Sequence, residues 1–192
     1  MAFFDGIWTA PEIDQFISRT PTLGAYDEAR FIFDGHKALV RIRQSHPHAD
    51  HGMLEVEILS RSGGQQFSSL LKICTSSSHL LLAVENLYID GYPSSSLYGN
   101  TKWVDLLLLF TAVKNLYVSK SFSVDIALAL QELVGRKRTT TEVLPVLKNV
   151  LLEGSPPWKI SNSVQEVIGH FIFARQLTNN HVALSVWDRD PI

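Results

Sequence analysis

Apolar and polar residues alternate along three short runs in the first third of the chain. In residues 29–34, Phe31 and Phe33 fall on one side and Arg30 and Ile32 on the other. In residues 38–44, Leu39, Arg41 and Arg43 oppose Val40 and Ile42. In residues 53–60, Leu54, Val56 and Ile58 share one face, and Glu55 and Glu57 share the other. A period of two is the signature of a half-buried strand. Gly35-His36 supplies a turn after the first run. The second and third runs, joined by the loop at 45–52, read as a hairpin in which Arg41 and Arg43 can face Glu55 and Glu57. Ahead of them, Thr9, Pro11 and Glu12 mark the start of a helix with Ile13, Phe16 and Ile17 on one face, ended by Thr20-Pro21.

After Ser62-Gly63-Gly64 the period becomes that of a helix. Residues 65–75 place Phe67, Leu70, Leu71 and Cys74 on one face. A strand at 84–90, a loop at 91–101, a helix at 102–111 that is apolar on most sides, and a strand at 113–119 follow. Next comes a helix at 121–134, with Ser123 as a candidate N-cap and Gly135 as its stop. A short turn at 139–141, a strand at 148–153, a helix at 164–177 capped within 161–163, and a strand at 182–187 complete the order. From residue 60 onward the chain therefore reads α-β-α-β-α-β-α-β, the alternation of a parallel sheet with helical crossovers.

One motif recurs within that alternation. Val84-Glu85-Asn86-Leu87-Tyr88-Ile89 matches Val113-Lys114-Asn115-Leu116-Tyr117-Val118, and Leu147-Lys148-Asn149-Val150-Leu151-Leu152 is a looser copy. The offsets, 113−84 = 29 and 147−113 = 34 residues, lie in the range of stacked repeats. A doubly wound sandwich is the competing arrangement, but the first strand-helix turn after residue 60 lacks G-x-G-x-x-G, and the chain has no P-loop. The recurrence favours an α/β leucine-rich-repeat-like open solenoid with a parallel sheet, helices on the convex side and an N-terminal β-hairpin. In such a solenoid Tyr88 and Tyr117 stack as a ladder, either against the helices or on the open face, and packing against the helices is the expected placement. Leu87 and Leu116 are expected to be buried.

Composition narrows the partners. The chain has 192 residues, 45% hydrophobic and 19% charged, with a formal net charge of −2. That balance gives no electrostatic case for nucleic acid or an anionic membrane. Its basic run, Arg136-Lys137-Arg138, follows the expected helix end at Gly135 and complements the helix dipole there. Cys74 is the single cysteine, so no internal disulfide forms, and a cytoplasmic or nuclear setting is expected. Its apolar neighbours mark it as a small buried hydrophobe rather than a nucleophile. No apolar run is long enough to span a bilayer.

The candidate chemistry is His46-Pro47-His48-Ala49-Asp50-His51. It fits H-x-H-x-D-H and resembles the metal-binding signature of the metallo-β-lactamase superfamily, in which His46 and His48 would hold one zinc and Asp50 and His51 a second. The context differs. In that superfamily the motif leads into a helix, whereas here an alternating strand begins at Met53, and His79, His170 and His181 do not fall where the later ligands should. The expectation is a polar hairpin loop without metal. No G-x-S-x-G elbow occurs, and neither catalytic residues nor a cofactor are expected.

The segments FISRTPTL, LEVEILSR, SSLLKICTSS, AVENLYI, FTAVKNLYVSK, ALQELVG, TTEVLPVLKNVLLEG and FIFARQL with VALSVWDRD carry a broader resemblance. Between Phe16 and Asp190 the chain resembles the leucine-rich-like region of F-box-type proteins of mushroom-forming fungi. The resemblance implies the recognition module of a ubiquitin-ligase substrate receptor. Residues 1–192 would form one domain, the C-terminal part of a longer architecture. The stretch before Phe16 is too short for an F-box, so adaptor binding is not expected of this chain. The expected function is protein binding, with an unidentified protein as partner. The alternatives are a dinuclear zinc hydrolase and a degenerate fragment without independent activity. The loop at 91–101 carries Tyr92, Leu97 and Tyr98, which are expected to contact the partner unless they fold onto the Trp103 helix.

Overall fold

Period-two alternation folds the first described segment into a three-stranded antiparallel meander. The computed structural model describes residues 15, 26–35, 37–44, 53–59, 63–92, 100–135, 143–154 and 162–188. Strand β1 (Glu28–Asp34) turns through Gly35, at φ +37°, into β2 (Lys37–Arg43), which pairs in turn with β3 (Leu54–Leu59). Ala29, Phe31, Phe33, Ala38, Val40, Ile42, Leu54 and Val56 are buried together on one face. On the other face Arg41 stands opposite Glu55, and its Nε donates to Oε2 at 2.8 Å, as expected. Arg43 does not face Glu57. It lies opposite Glu28 of β1 and donates to it at 2.7 Å, because β1 occupies the far edge of β2. Glu57 instead lies 3.8 Å from Lys37.

The remaining elements alternate as the sequence implies: α1 (Gly63–Ser76), β4 (Asn86–Tyr92), α2 (Asn100–Leu107), β5 (Asn115–Val118), α3 (Ser123–Gly135), β6 (Asn149–Glu153), α4 (Asn162–Gln176) and β7 (Ala183–Trp187). The sheet order is β3-β2-β1-β4-β5-β6-β7, and every pair from β1–β4 to β6–β7 is parallel. No described strand separates β4 from β5, and the last four strands are successive neighbours. Each step runs in the same direction across the sheet. Crossovers of one hand therefore place their helices on one face. The result is an α/β fold with an open, mostly parallel sheet.

The buried positions follow from that one-sided covering. Leu87 and Ile89, Leu116 and Val118, and Val150 and Leu152 are in register and point at the helices. Burying a leucine of this kind contributes roughly 1.5–3 kcal/mol. Phe33 lies at the aromatic centre, with ring centroids 6.1 Å from Phe67 of α1, 5.8 Å from Trp103 of α2 and 5.2 Å from Phe122. At the far end Arg175 of α4 is fully buried, and its Nη2 donates to the carbonyls of Leu144 at 2.8 Å and Pro145 at 3.1 Å. Burial pushes its pKa down. Its guanidinium satisfies carbonyls in a segment where Leu144 has φ +48°.

Several boundaries differ from those the sequence implies. β4 begins at Asn86 and continues through Gly91 and Tyr92, which the sequence placed in a loop. Gly91 has φ +100°, and a Cβ there would collide with the carbonyl oxygen of Phe33 across the β1–β4 pair. Ser123 is not an N-cap. A 3-10 turn (Lys120–Phe122) precedes it, its own backbone is helical, and its hydroxyl donates to the Lys120 carbonyl at 2.9 Å. Of the expected helix at 12–20 only Gln15 is described, and it is helical. The turn at 139–141 and the run Arg136-Lys137-Arg138 lie outside the described residues. No described helix is long and apolar enough to cross a membrane.

Candidate functional site

Helices cover one face of the sheet, and the strand period sends every second side chain to the other. On that second face the register builds rows. Asn86, Asn115 and Asn149 form one row at the start of three adjacent strands. Asn115 Nδ2 donates to Asn86 Oδ1 at 2.8 Å, and Asn149 Nδ2 donates to Asn115 Oδ1 at 2.7 Å. The ladder satisfies polar groups where each strand enters the sheet, so it fixes the register of the row above.

That next row is Arg41, Arg30, Tyr88, Tyr117, Leu151 and Ser185. Tyr88 and Tyr117 stack with centroids 4.1 Å apart and planes within 8°. The Arg30 guanidinium carbon lies 4.6 Å from the Tyr88 ring centroid, a cation over an aromatic face. Trp187, from the end of β7, stands edge-to-face against both tyrosines at 5.8 and 5.5 Å. Its Nε1 reaches the Val118 carbonyl at 3.5 Å. The Trp187 side chain thus crosses over β6 to close the cluster. All four side chains are half-buried.

This placement corrects the expectation that the tyrosines pack against the helices. Leu87 and Leu116 are adjacent to them in sequence and take the helix side, so a period of two leaves the tyrosines on the open side. A phenol hydroxyl is also costly among the apolar helix faces unless it is bonded. Even here the Tyr88 pKa is raised, first by burial and then by Tyr117 and Glu28, with Arg30 opposing. Arg30 and Trp187 did not stand out in the sequence. The available signal for Trp187 was its parity with Tyr88 and Tyr117 once the strands are aligned.

No protein-family model matches the chain, no curated protein matches it, and no solved structure matches it. The reading of this face therefore rests on its geometry.

Of the expected contact residues, Tyr92 lies at the end of β4 and is 69% exposed, while Leu97 and Tyr98 lie outside the described residues. His46, His48, Asp50 and His51 lie outside them too. His79, His170 and His181 are exposed on separate elements, and among the described residues no group of three or more His, Cys, Asp or Glu could hold a metal. Cys74 is buried, and burial alone pushes its thiol up to about 12. On the open face, carboxylates such as Glu28 and Glu55 are engaged with arginines. Aromatic rings, paired charges and amides at such spacing suit noncovalent recognition.

Proposed function

We propose that the chain is a protein-recognition module that binds its partner on the sheet face opposite the described helices, without catalysis or a cofactor. The observation that carries this reading is the cluster of Tyr88, Tyr117 and Trp187 on that face. Tyrosine and tryptophan are enriched in interface cores, because they offer large, stiff, amphipathic surfaces. Tyr92 is exposed at the end of β4, the strand that carries Tyr88.

The architecture we infer is a leucine-rich-like solenoid. Two features support it: β4, β5, β6 and β7 pair in parallel, each with the next, and Asn recurs at the same register position in three of them. Its derivation from the substrate-recognition region of an F-box ubiquitin-ligase receptor rests on the sequence resemblance alone. A cytoplasmic or nuclear setting accords with one buried thiol.

The test uses the purified chain and a Tyr117→Ser, Trp187→Ser double variant. Both are used to capture proteins from an extract, and each recovered protein is then bound to the purified chain. The expected partner binds the wild type, protects the amides of β4 to β7 from hydrogen exchange, and is lost with the double variant while circular dichroism stays unchanged. Partners retained equally by the double variant, or protection confined to the helices, would refute this reading.

A further inference from the structure

Charge pairing on the open face is nearly complete. Among its described cations, Lys37 lies 3.8 Å from Glu57, Arg41 2.8 Å from Glu55 and Arg43 2.7 Å from Glu28. Arg30 is the exception. It sits directly opposite Arg41 on one side and Tyr88 on the other, so neither cross-strand neighbour is an acid. Arg41 has its own carboxylate in Glu55. The Arg30 Nε is sealed from solvent, and the guanidinium makes no hydrogen bond or ion pair with a described residue. Its compensation is the face of Tyr88, 4.6 Å away. A cation–π contact of this kind contributes about 0.5–2 kcal/mol and accepts no hydrogen bond from the guanidinium donors.

We infer that Arg30 receives a carboxylate of the partner, so that the module selects extended acidic segments in which Asp or Glu stands beside an aromatic or aliphatic residue. The geometry supplies both halves. With Nε sealed, the Nη1 and Nη2 end of the Arg30 guanidinium is the part of the fork matched to a carboxylate. Immediately beside it the stacked Tyr88 and Tyr117, capped by Trp187, offer an apolar platform for the neighbouring side chain. The platform lies in the same row as Arg30, so one segment crossing the strands can touch both. Charge complementarity favours an acidic over a basic segment, because a cation there would meet Arg30, whose cross-strand neighbours are not acids.

This inference rests on the protein-binding reading of the open face, and the experiment separates the two. A displayed library of random peptides is selected against the wild-type chain, Arg30→Gln and Trp187→Ala, each checked for native circular dichroism. The wild type is expected to enrich peptides with Asp or Glu next to Phe, Trp, Leu or Ile. A matched synthetic pair, Glu against Gln at the enriched position, is then expected to differ by about tenfold in affinity for the wild type. Arg30→Gln keeps binding the Gln peptide and loses that tenfold preference, whereas Trp187→Ala loses both peptides. Neutral or basic enrichment by the wild type, or a Glu preference that survives in Arg30→Gln, overturns the inference and leaves the binding face standing. Enrichment that is the same for wild type and Trp187→Ala overturns both.

Discussion

Asn149 donates its side-chain amide to the side-chain oxygen of Asn115 at 2.7 Å, and Asn115 passes the same bond to Asn86 at 2.8 Å. The middle residue both donates and accepts, so its loss strands a partner on each side. Asn115→Ala is therefore expected to destabilise the fold by about 1–3 kcal/mol, and more than Asn149→Ala does. Denaturant midpoints of the two variants, at unchanged m-value, check this.

Leu87 and Leu116 lie side by side under the helices and are fully buried. Leu87→Ala and Leu116→Ala are each expected to cost about 2–5 kcal/mol, from lost transfer energy and the cavity left behind. Tyr117→Ser is expected to cost less than either, since its ring is half-buried on the open side. Equilibrium unfolding of the three variants orders these costs, and an inverted order would contradict the assignment of faces.

What the sequence made legible was whatever a local period encodes. The three alternating runs became β1 to β3, and the recurring Asn became a register mark shared by three strands. Side-chain partners between distant strands were less legible. Arg43 chose Glu28 rather than Glu57, because the pairing of β1 with β2 decides its opposite residue. Arg175 read as an ordinary position in a helix, yet it is fully buried, and its acceptors are carbonyls about thirty residues away. The binding cluster was half legible. Tyr88 and Tyr117 were marked by the repeat, whereas Arg30 and Trp187 reach them from strands whose adjacency no local pattern reveals.

Gly91 is predicted to be intolerant of any side chain. Its φ of +100° is one that L residues rarely adopt, and the backbone of Phe33 fills the space a Cβ needs. Gly91→Ala is expected to cost about 3 kcal/mol or more. The β1–β4 seam should open first, seen as faster amide exchange in β1 than in β6.

The buried thiol makes stability fall in alkali. Burial pushes the Cys74 thiol from the ordinary 9.0 up to about 12. Tyr26 and Tyr88 are also raised by burial. Above about pH 9 the unfolded chain releases protons that the folded chain retains at these groups, so their contribution to stability declines as pH rises. Thermal midpoints measured from about pH 8 to about pH 11 should drop at the upper end, and by less in Cys74→Val. A thiol reagent at neutral pH should label Cys74 only after denaturant is added.

β1 is antiparallel to β2 on one edge and parallel to β4 on the other. The first pairing joins Asp34 to Lys37 across a tight turn, while the second joins Glu28 to Asn86, 86−28 = 58 residues away. Chain closure over that distance costs conformational entropy before any contact rewards it. The meander and the later α/β units can each form from nearby residues, and their union waits on the β1–β4 seam. Arg30 and Tyr88 stand on opposite sides of that seam. Because that contact spans the long-range seam, variants at either residue are expected to slow refolding, read by stopped-flow fluorescence, without slowing formation of the hairpin.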